Sequence, residues 1–314
     1  DLNEIWWFES IGGHHWMAKR VPDDSYVVMP NQQGIDVFDF VDAYGPAREH
    51  LCDADLADFV SRHHLDLAMC GDKPKACARF DARAAFGSHS DSDHSYNTPR
   101  AWFMLRYLNP TTYRWDGPDA EYRPASDNLP WSLRPERKVT IEDIKYVLSS
   151  YYQGTEYNPY DRHGDPARRG MYRPIGINRN NFMAITQLRP GMPAALTGVE
   201  WIAVGSNAFN AAVPFYTWVD DAPAYLSQTS DTVSTDNFYW ASRLIGALAD
   251  AHYPACISHI ERYQLSMATV AHRMIRESDA LYQAEAPEDA AAFLTRRNQQ
   301  MADQARALTD AVLS

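Results

Sequence analysis

Two adjacent glycines at positions 12 and 13, set between aromatic-rich runs, constrain this chain more than any other feature. Glu4-Ile-Trp-Trp-Phe-Glu ahead of them and His15 to Val21 behind them have strand length and strand composition. Paired glycines supply the positive φ that a tight reversal needs. Pro22-Asp23-Asp24-Ser25 reads as a second turn. The apolar Tyr26 to Met29 follows as a third strand, which should stop at Pro30-Asn31 because proline cannot donate to a ladder. Three consecutive antiparallel strands are therefore expected in the first forty residues. Within 15–21, Trp16, Ala18 and Arg20 alternate with His15, Met17, Lys19 and Val21, which leaves the buried face open.

Beyond Asn31, the acidic and aromatic stretch 35–50 with Gly45-Pro46 predicts a loop. Leu56, Phe59 and Val60 predict a short amphipathic helix over 53–64. Residues 69–82 read as a surface excursion and 87–97 as a polar segment. Thr98-Pro99-Arg100 starts a helix that ends at Asn109-Pro110, since proline suits a first turn. The long stretch 110–138 is of the kind that is functional or a lid. Thr140, with Asp143 three residues on, caps another helix at a gain of about 1 kcal/mol; its apolar face is Ile141, Ile144, Val147, Leu148 and Tyr151. A loop over 153–174 precedes two strands at 182–189 and 199–205. Helical periodicity then covers 236–251, 256–278 and 288–313, with Pro254 and Pro287 in the breaks. Strands, helices, strands, helices is the order of an α+β sandwich rather than a βαβ barrel.

A net charge of −12 argues against nucleic acid and anionic membrane surfaces as partners. No apolar run approaches the roughly 18–20 residues of a membrane span, and the early residues do not resemble a signal peptide. With 45% hydrophobic residues, the 314-residue chain has enough apolar material for one large domain or two small ones. Four cysteines are too few for a disulfide scaffold. Cys70 and Cys77 are spaced to close a small loop, but reduced thiols in a cytoplasmic protein are the expectation.

Several stretches carry a resemblance: the first forty residues, GSHSDSDHSYNTPRAW (87–102), IEDIKYVLSSYYQGTEYNPY (141–160), YRPIGINRN (172–180), GSNAFNAAVPFY (205–216) and NFYWASRLIGALADAHY (237–253). Together the chain resembles the cysteine dipeptidases of lactic acid bacteria, of the dipeptidase A type, which are N-terminal nucleophile hydrolases. The resemblance implies a four-layer αββα sandwich, with residues 1–235 as part of its core and 236–314 as a helical layer of the same domain. It also implies hydrolysis of dipeptides by a cysteine at a mature N-terminus. There a free α-amino group, with a pKa of about 7.7–8, is the base for its own side chain.

Position 1 here is Asp. The chain is therefore expected to be the C-terminal part of such an enzyme, its nucleophile lying on an upstream segment or another polypeptide. Tested alone it should be inactive and prone to aggregate, because its first strand would lack a neighbour. A homo-oligomer with no cofactor is expected. The alternatives are an amidase acting on another linear C–N bond and a non-catalytic relative that uses the same scaffold for interaction.

Four site residues follow. The resemblance extends to cysteine amidases of the superfamily, in which an asparagine ending an early strand donates to the oxyanion hole; Asn31 in VMPNQ has that setting. The competing reading is a turn asparagine. Arg100 in YNTPRAWF resembles the arginine near the nucleophile, where a guanidinium favours thiolate and carboxylate alike. A cation in a first helical turn opposes the helix dipole and so wants a reason.

A dipeptide carries both signs of charge, so Asp91 and Asp93 are assigned to its ammonium, and Arg100 or an arginine from 162–179 to its carboxylate. His89, Asp91, Asp93 and His94 have metal-ligand chemistry but no recognised spacing, so no metal is expected. His14-His15 and His63-His64 are read as unpaired doublets, and Trp6-Trp7 and Tyr151-Tyr152 as core. No glycine-rich loop precedes a helix, and Gly205-Ser206-Asn207 lacks the second glycine of a nucleophile elbow.

Overall fold

The computed structural model describes residues 4–65 and 74–314. The chain is mixed α and β with antiparallel sheets, and divides into two compact units. One is Asp1–Val139 with Met171–Arg173; the other is Thr140–Gly170 with Pro174–Ser314. The boundary falls inside the 1–235 stretch taken above as one core.

In the first unit, β1 (Ile5–Gly12) and β2 (His15–Val21) form the expected hairpin, with Ile5 opposite Val21 and Gly12 opposite His15. Gly13, with φ +58, makes the reversal. Ala18 is the buried residue of one face of β2, but burial favours the other, with His15, Met17 and Val21 buried. Lys19, on the same face, reaches Asp36 Oδ1 at 2.9 Å and the Val37 carbonyl at 2.7 Å, with its ammonium 4.6 Å from the Trp131 ring.

The third strand is not where it was expected. β3 is only Tyr26–Val27, and its partner is β7 (Ser132–Leu133), not β2. The free edge of β2 is taken instead by β5 (His50–Cys52). Asp42 explains this, because its carboxylate accepts the backbone N–H groups of Arg48, Glu49 and His50 at 2.8–3.1 Å and fixes the approach of that strand. The stretch 35–50 is accordingly not a plain loop. It carries β4 (Val37–Phe38) and α1 (Phe40–Ala43), whose Phe38 and Phe40 are fully buried.

α2 (Leu56–Arg62) matches the expected amphipathic helix but is shorter. The expected surface excursion at 69–82 lies partly outside the described residues. Its end is not surface: Phe80, in β6 (Phe80–Asp81), packs with Phe38, Phe40, Leu56 and Val60 in one core. Cys77 is disulfide-bonded, against the expectation of reduced thiols; Cys70 lies outside the described residues.

α3 (Ala82–Phe86) and α4 (Asp91–Tyr96) follow, and then α5 (Thr98–Leu108) with Pro99 in its first turn as expected. The polar segment 87–97 carries a short helix, α4, that was not expected there. A reciprocal capping box between Ser90 and Asp93 closes its N-terminus.

The second unit opens with α6 (Ile141–Leu148), capped by Thr140 and Asp143 as read from the sequence. β8 (Phe182–Leu188), β9 (Gly198–Val204) and β10 (Val213–Tyr216) make an antiparallel sheet in the order β10-β9-β8. β10 was not anticipated; its four residues are buried throughout and show no alternation. Asn298 pairs both ways with the Tyr216 backbone at 2.9 Å, tying that strand to the last helix.

α7 (Ala224–Ser227) is a single turn. The long helices are α8 (Phe238–Ala251), α9 (Tyr253–Glu285) and α10 (Ala290–Leu313). α9 runs further at both ends than its periodicity suggested. Pro254 occupies its first turn, where a missing N–H costs nothing, and left-handed Ala286 closes it. Phe209, Phe238, Ile245, Ile260, Tyr263 and Met301 form the main core of this unit.

Candidate active site

Asn31 lies past β3, in an irregular stretch rather than at a strand end. That stretch is clamped from two sides. Buried Glu9 of β1 accepts the N–H of Gly34 at 2.7 Å and of Ile35 at 3.2 Å, and Arg83 of α3 donates to the Gly34 carbonyl at 2.6 Å. Gln33 donates to the Ser10 carbonyl at 2.8 Å and Gln32 to Thr98 Oγ1 at 3.2 Å. A turn this firmly held presents its exposed side chain in one place.

That side chain meets Arg100. A guanidinium nitrogen donates to Asn31 Oδ1 at 2.9 Å and to Asn97 Oδ1 at 2.5 Å, and Arg100 Nε donates to the Tyr96 carbonyl. These acceptors are the reason a cation tolerates the first turn of α5. Because arginine has donors only, the Asn31 amide must turn its oxygen to Arg100. Its Nδ2 then has no hydrogen bond among the described residues, and Asn31 is exposed. Asn97 completes the cluster, donating to the Asn31 carbonyl at 3.3 Å and to Asp93 Oδ1 at 2.6 Å.

Asp93 therefore touches the same network, but as support. Besides Asn97, its carboxylate accepts from Ser88 Oγ, from Ser90 Oγ at 2.8 Å and from the Ser90 N–H at 3.2 Å. Burial alone would raise its pKa; hydrogen bonds from Ser88, Asn97 and Ser90 outweigh this and hold it well below the ordinary carboxylate range. Little of that carboxylate is left for a ligand. Asp91 is exposed in the first turn of α4.

His89 and His94 do not join Asp91 and Asp93. Both approach Asp127, at 3.2 and 2.7 Å. Burial would raise the Asp127 carboxyl, but the hydrogen bonds from His94 and His89 lower it overall. Pro30, Gln32, His89, Thr98 and Asp127 line a cavity of about 40 Å³. That is room for a water or two, far below the ~300 Å³ of a small-ligand pocket.

His14-His15 is not an unpaired doublet: His14 contacts Asp55 at 3.0 Å and His15 contacts Asp53 at 3.2 Å. His63 and His64 are exposed at the end of α2.

A larger cavity, about 540 Å³, belongs to the second unit, with Lys145, Tyr146, Tyr151, Trp201, Tyr253 and Leu265 among its walls. Tyr151 thus lines a cavity as well as the core, its hydroxyl 2.9 Å from that of Tyr253. Lys145 Nζ donates to the Asn207 carbonyl at 3.0 Å, and burial pushes its pKa down to about 7. Sequence reasoning missed Asn97 and Asp127 in the first unit and Lys145 in the second. Asn97 stood inside the quoted YNTPRAW, with an Asx-type partner four residues earlier as its only local signal.

Residues 1–266 match the model of peptidase family C69, and the chain belongs to that family. It is 55% identical over 279 residues to a protein named "Dipeptidase" from Bifidobacterium longum (strain NCC 2705), covering 89% of this chain and 51% of the relative. A "Probable dipeptidase A" from Streptococcus pyogenes serotype M18 is 44% identical over 314 residues, all of this chain and 62% of the relative. "Dipeptidase A" of Lactobacillus helveticus is 35% identical over 303 residues, 96% of this chain and 60% of the relative. The chain thus spans between half and two thirds of the length of these curated relatives.

Proposed function

We propose that this chain is part of a peptidase that hydrolyses dipeptides through a thioester acyl-enzyme, formed by an N-terminal cysteine outside these 314 residues. Family membership and the relatives' names support the substrate class. The cysteines among the described residues support the location of the nucleophile. Burial pushes the Cys52 thiol up to about 11, leaving it protonated at neutral pH. Cys77 is in a disulfide, and Cys256 Sγ contacts the Leu248 carbonyl at 3.8 Å. In this reading the chain is part of an αββα sandwich. Strand β1 is an edge of its sheet, with Ile5 and Phe8 more than half exposed, which suits a further strand alongside.

The observation that carries the proposal is the hydrogen bond from Arg100 to Asn31 Oδ1, which leaves Nδ2 as an oriented donor. Such a donor stabilises the oxyanion of a tetrahedral intermediate, where charge develops only at the transition state. Arg100 fixes the amide and Asn97 ties its backbone; Asp93 holds Asn97. Asp91 remains the candidate for the substrate ammonium. The test is Asn31→Ala in the full-length enzyme with a dipeptide: kcat should fall by roughly 10²–10³ with KM nearly constant. An unchanged kcat removes Asn31 from the oxyanion hole.

A further inference from the structure

We propose that His14, His15, Asp53 and Asp55 form a binding site for a divalent transition-metal ion of the zinc type, which staples the β1–β2 turn to the start of α2. One ligand atom from each residue lies within 4.8 Å of all the others. Closer approaches are 3.0 Å for His14 Nε2 to Asp55 Oδ1, 3.2 Å for His15 Nδ1 to Asp53 Oδ1 and 3.6 Å for His15 Nδ1 to Asp55 Oδ1. Four ligands around zinc at about 2.0–2.1 Å stand ~3.3 Å apart along a tetrahedron's edges, so small side-chain adjustments close the set.

Asp55 behaves unlike the chain's other aspartates at helix starts. Asp39, Asp81 and Asp289 each accept a backbone N–H of the helix they precede. Asp55, at the corresponding position of α2, makes no such bond. It forgoes a cap worth about 1 kcal/mol and faces two imidazoles.

Two of the ligands, Asp53 and His15, are oriented by groups outside the cluster, as in built metal sites. Asp53 Oδ2 accepts the Trp16 N–H at 2.7 Å, and the His15 ring packs on Phe59 with centroids 4.2 Å apart. The side chains of His15 and Asp53 are 8% and 11% exposed, whereas His14 and Asp55 are open at 69% and 44%, so an ion has a way in.

The chemistry selects the ion. Two imidazoles disfavour calcium and magnesium, and a mixed nitrogen and oxygen set suits zinc or cobalt. Two carboxylates with two neutral imidazoles carry the charge that a dication cancels. Each imidazole would bind through the nitrogen that now faces a carboxylate, in the neutral tautomer that carries its proton on the other ring nitrogen.

The test is titration of the chelator-stripped full-length protein with Zn²⁺ by calorimetry and with Co²⁺ by visible absorption. One equivalent should bind, with the strong visible band of tetrahedral Co²⁺. His14→Gln and Asp55→Asn, both on open side chains and checked for folding by circular dichroism, should each weaken binding by about tenfold or more. His63→Gln should not. Absence of binding by the unmodified protein, or equal binding in both site variants, overturns the proposal.

Discussion

Arg100 donates to the side-chain oxygen of Asn31 at 2.9 Å across 69 positions of sequence. A guanidinium has no acceptor, so this single contact decides which end of the amide faces outward. The orientation of Asn31 is thus a property of α5 as much as of its own turn.

If Arg100 acts through Asn31, the two should fail as a unit. Arg100→Ala is expected to lower kcat on a dipeptide by roughly 10–100-fold, no more than the loss of the donor itself. The double variant with Asn31→Ala should be little slower than Asn31→Ala alone. A double-mutant cycle checks this, and fully additive losses would separate the two roles.

Asp93 should report on stability rather than on substrate. Asp93→Ala removes the helix cap and the tie to Asn97, at a cost of about 1–2 kcal/mol. Its carboxyl is held below the usual range, so its contribution is present above about pH 4 and is lost as the pH falls further. Denaturant unfolding of both proteins at pH 7 and pH 3 should therefore show a gap that narrows in acid. A raised KM with unchanged stability would return Asp93 to the substrate.

Lys145 costs stability where Asp93 adds it, although both lowered pKa values make stability rise with pH. Its pKa is depressed to about 7, so between pH 7 and its ordinary value the unfolded chain holds a proton that the folded one lacks. Stability should rise with pH across that window. Lys145→Met should flatten the slope and stabilise the protein at neutral pH by on the order of 1–3 kcal/mol. Thermal unfolding from pH 6 to 10 checks it; a slope that survives the substitution assigns the effect elsewhere.

Gly176 is needed for close approach. Its N–H donates to the Ser150 carbonyl at 2.7 Å, and an added Cβ would stand 2.1 Å from the Ser149 carbonyl oxygen. Backbone cannot yield as a flexible side chain can, so Gly176→Ala should cost about 2 kcal/mol or more. Chemical denaturation measures this directly.

What could be read from the sequence was what is local. The Thr140–Asp143 cap and the proline-led start of α5 are decided within four residues and were found. The same cap signature at Ser90–Asp93 went unread because no apolar stripe follows it, and α4 is one short, polar helix. Long-range pairings were invisible: β3 finds β7 across more than a hundred residues with two residues a side, too short for any alternation. Asn31, Asp93 and Arg100 were each nominated singly. That they meet through Asn97 depends on a fold placing a turn beside a helix start, which composition does not encode.

The location of the attacking sulfur is tested most directly by inactivating the full-length enzyme with a thiol-alkylating reagent and mapping the modified cysteine by mass spectrometry. Loss of dipeptidase activity should follow modification of an N-terminal cysteine outside these 314 residues, with Cys52 and Cys256 unreacted. Inactivation that tracks Cys52, Cys70, Cys77 or Cys256 would contradict the account.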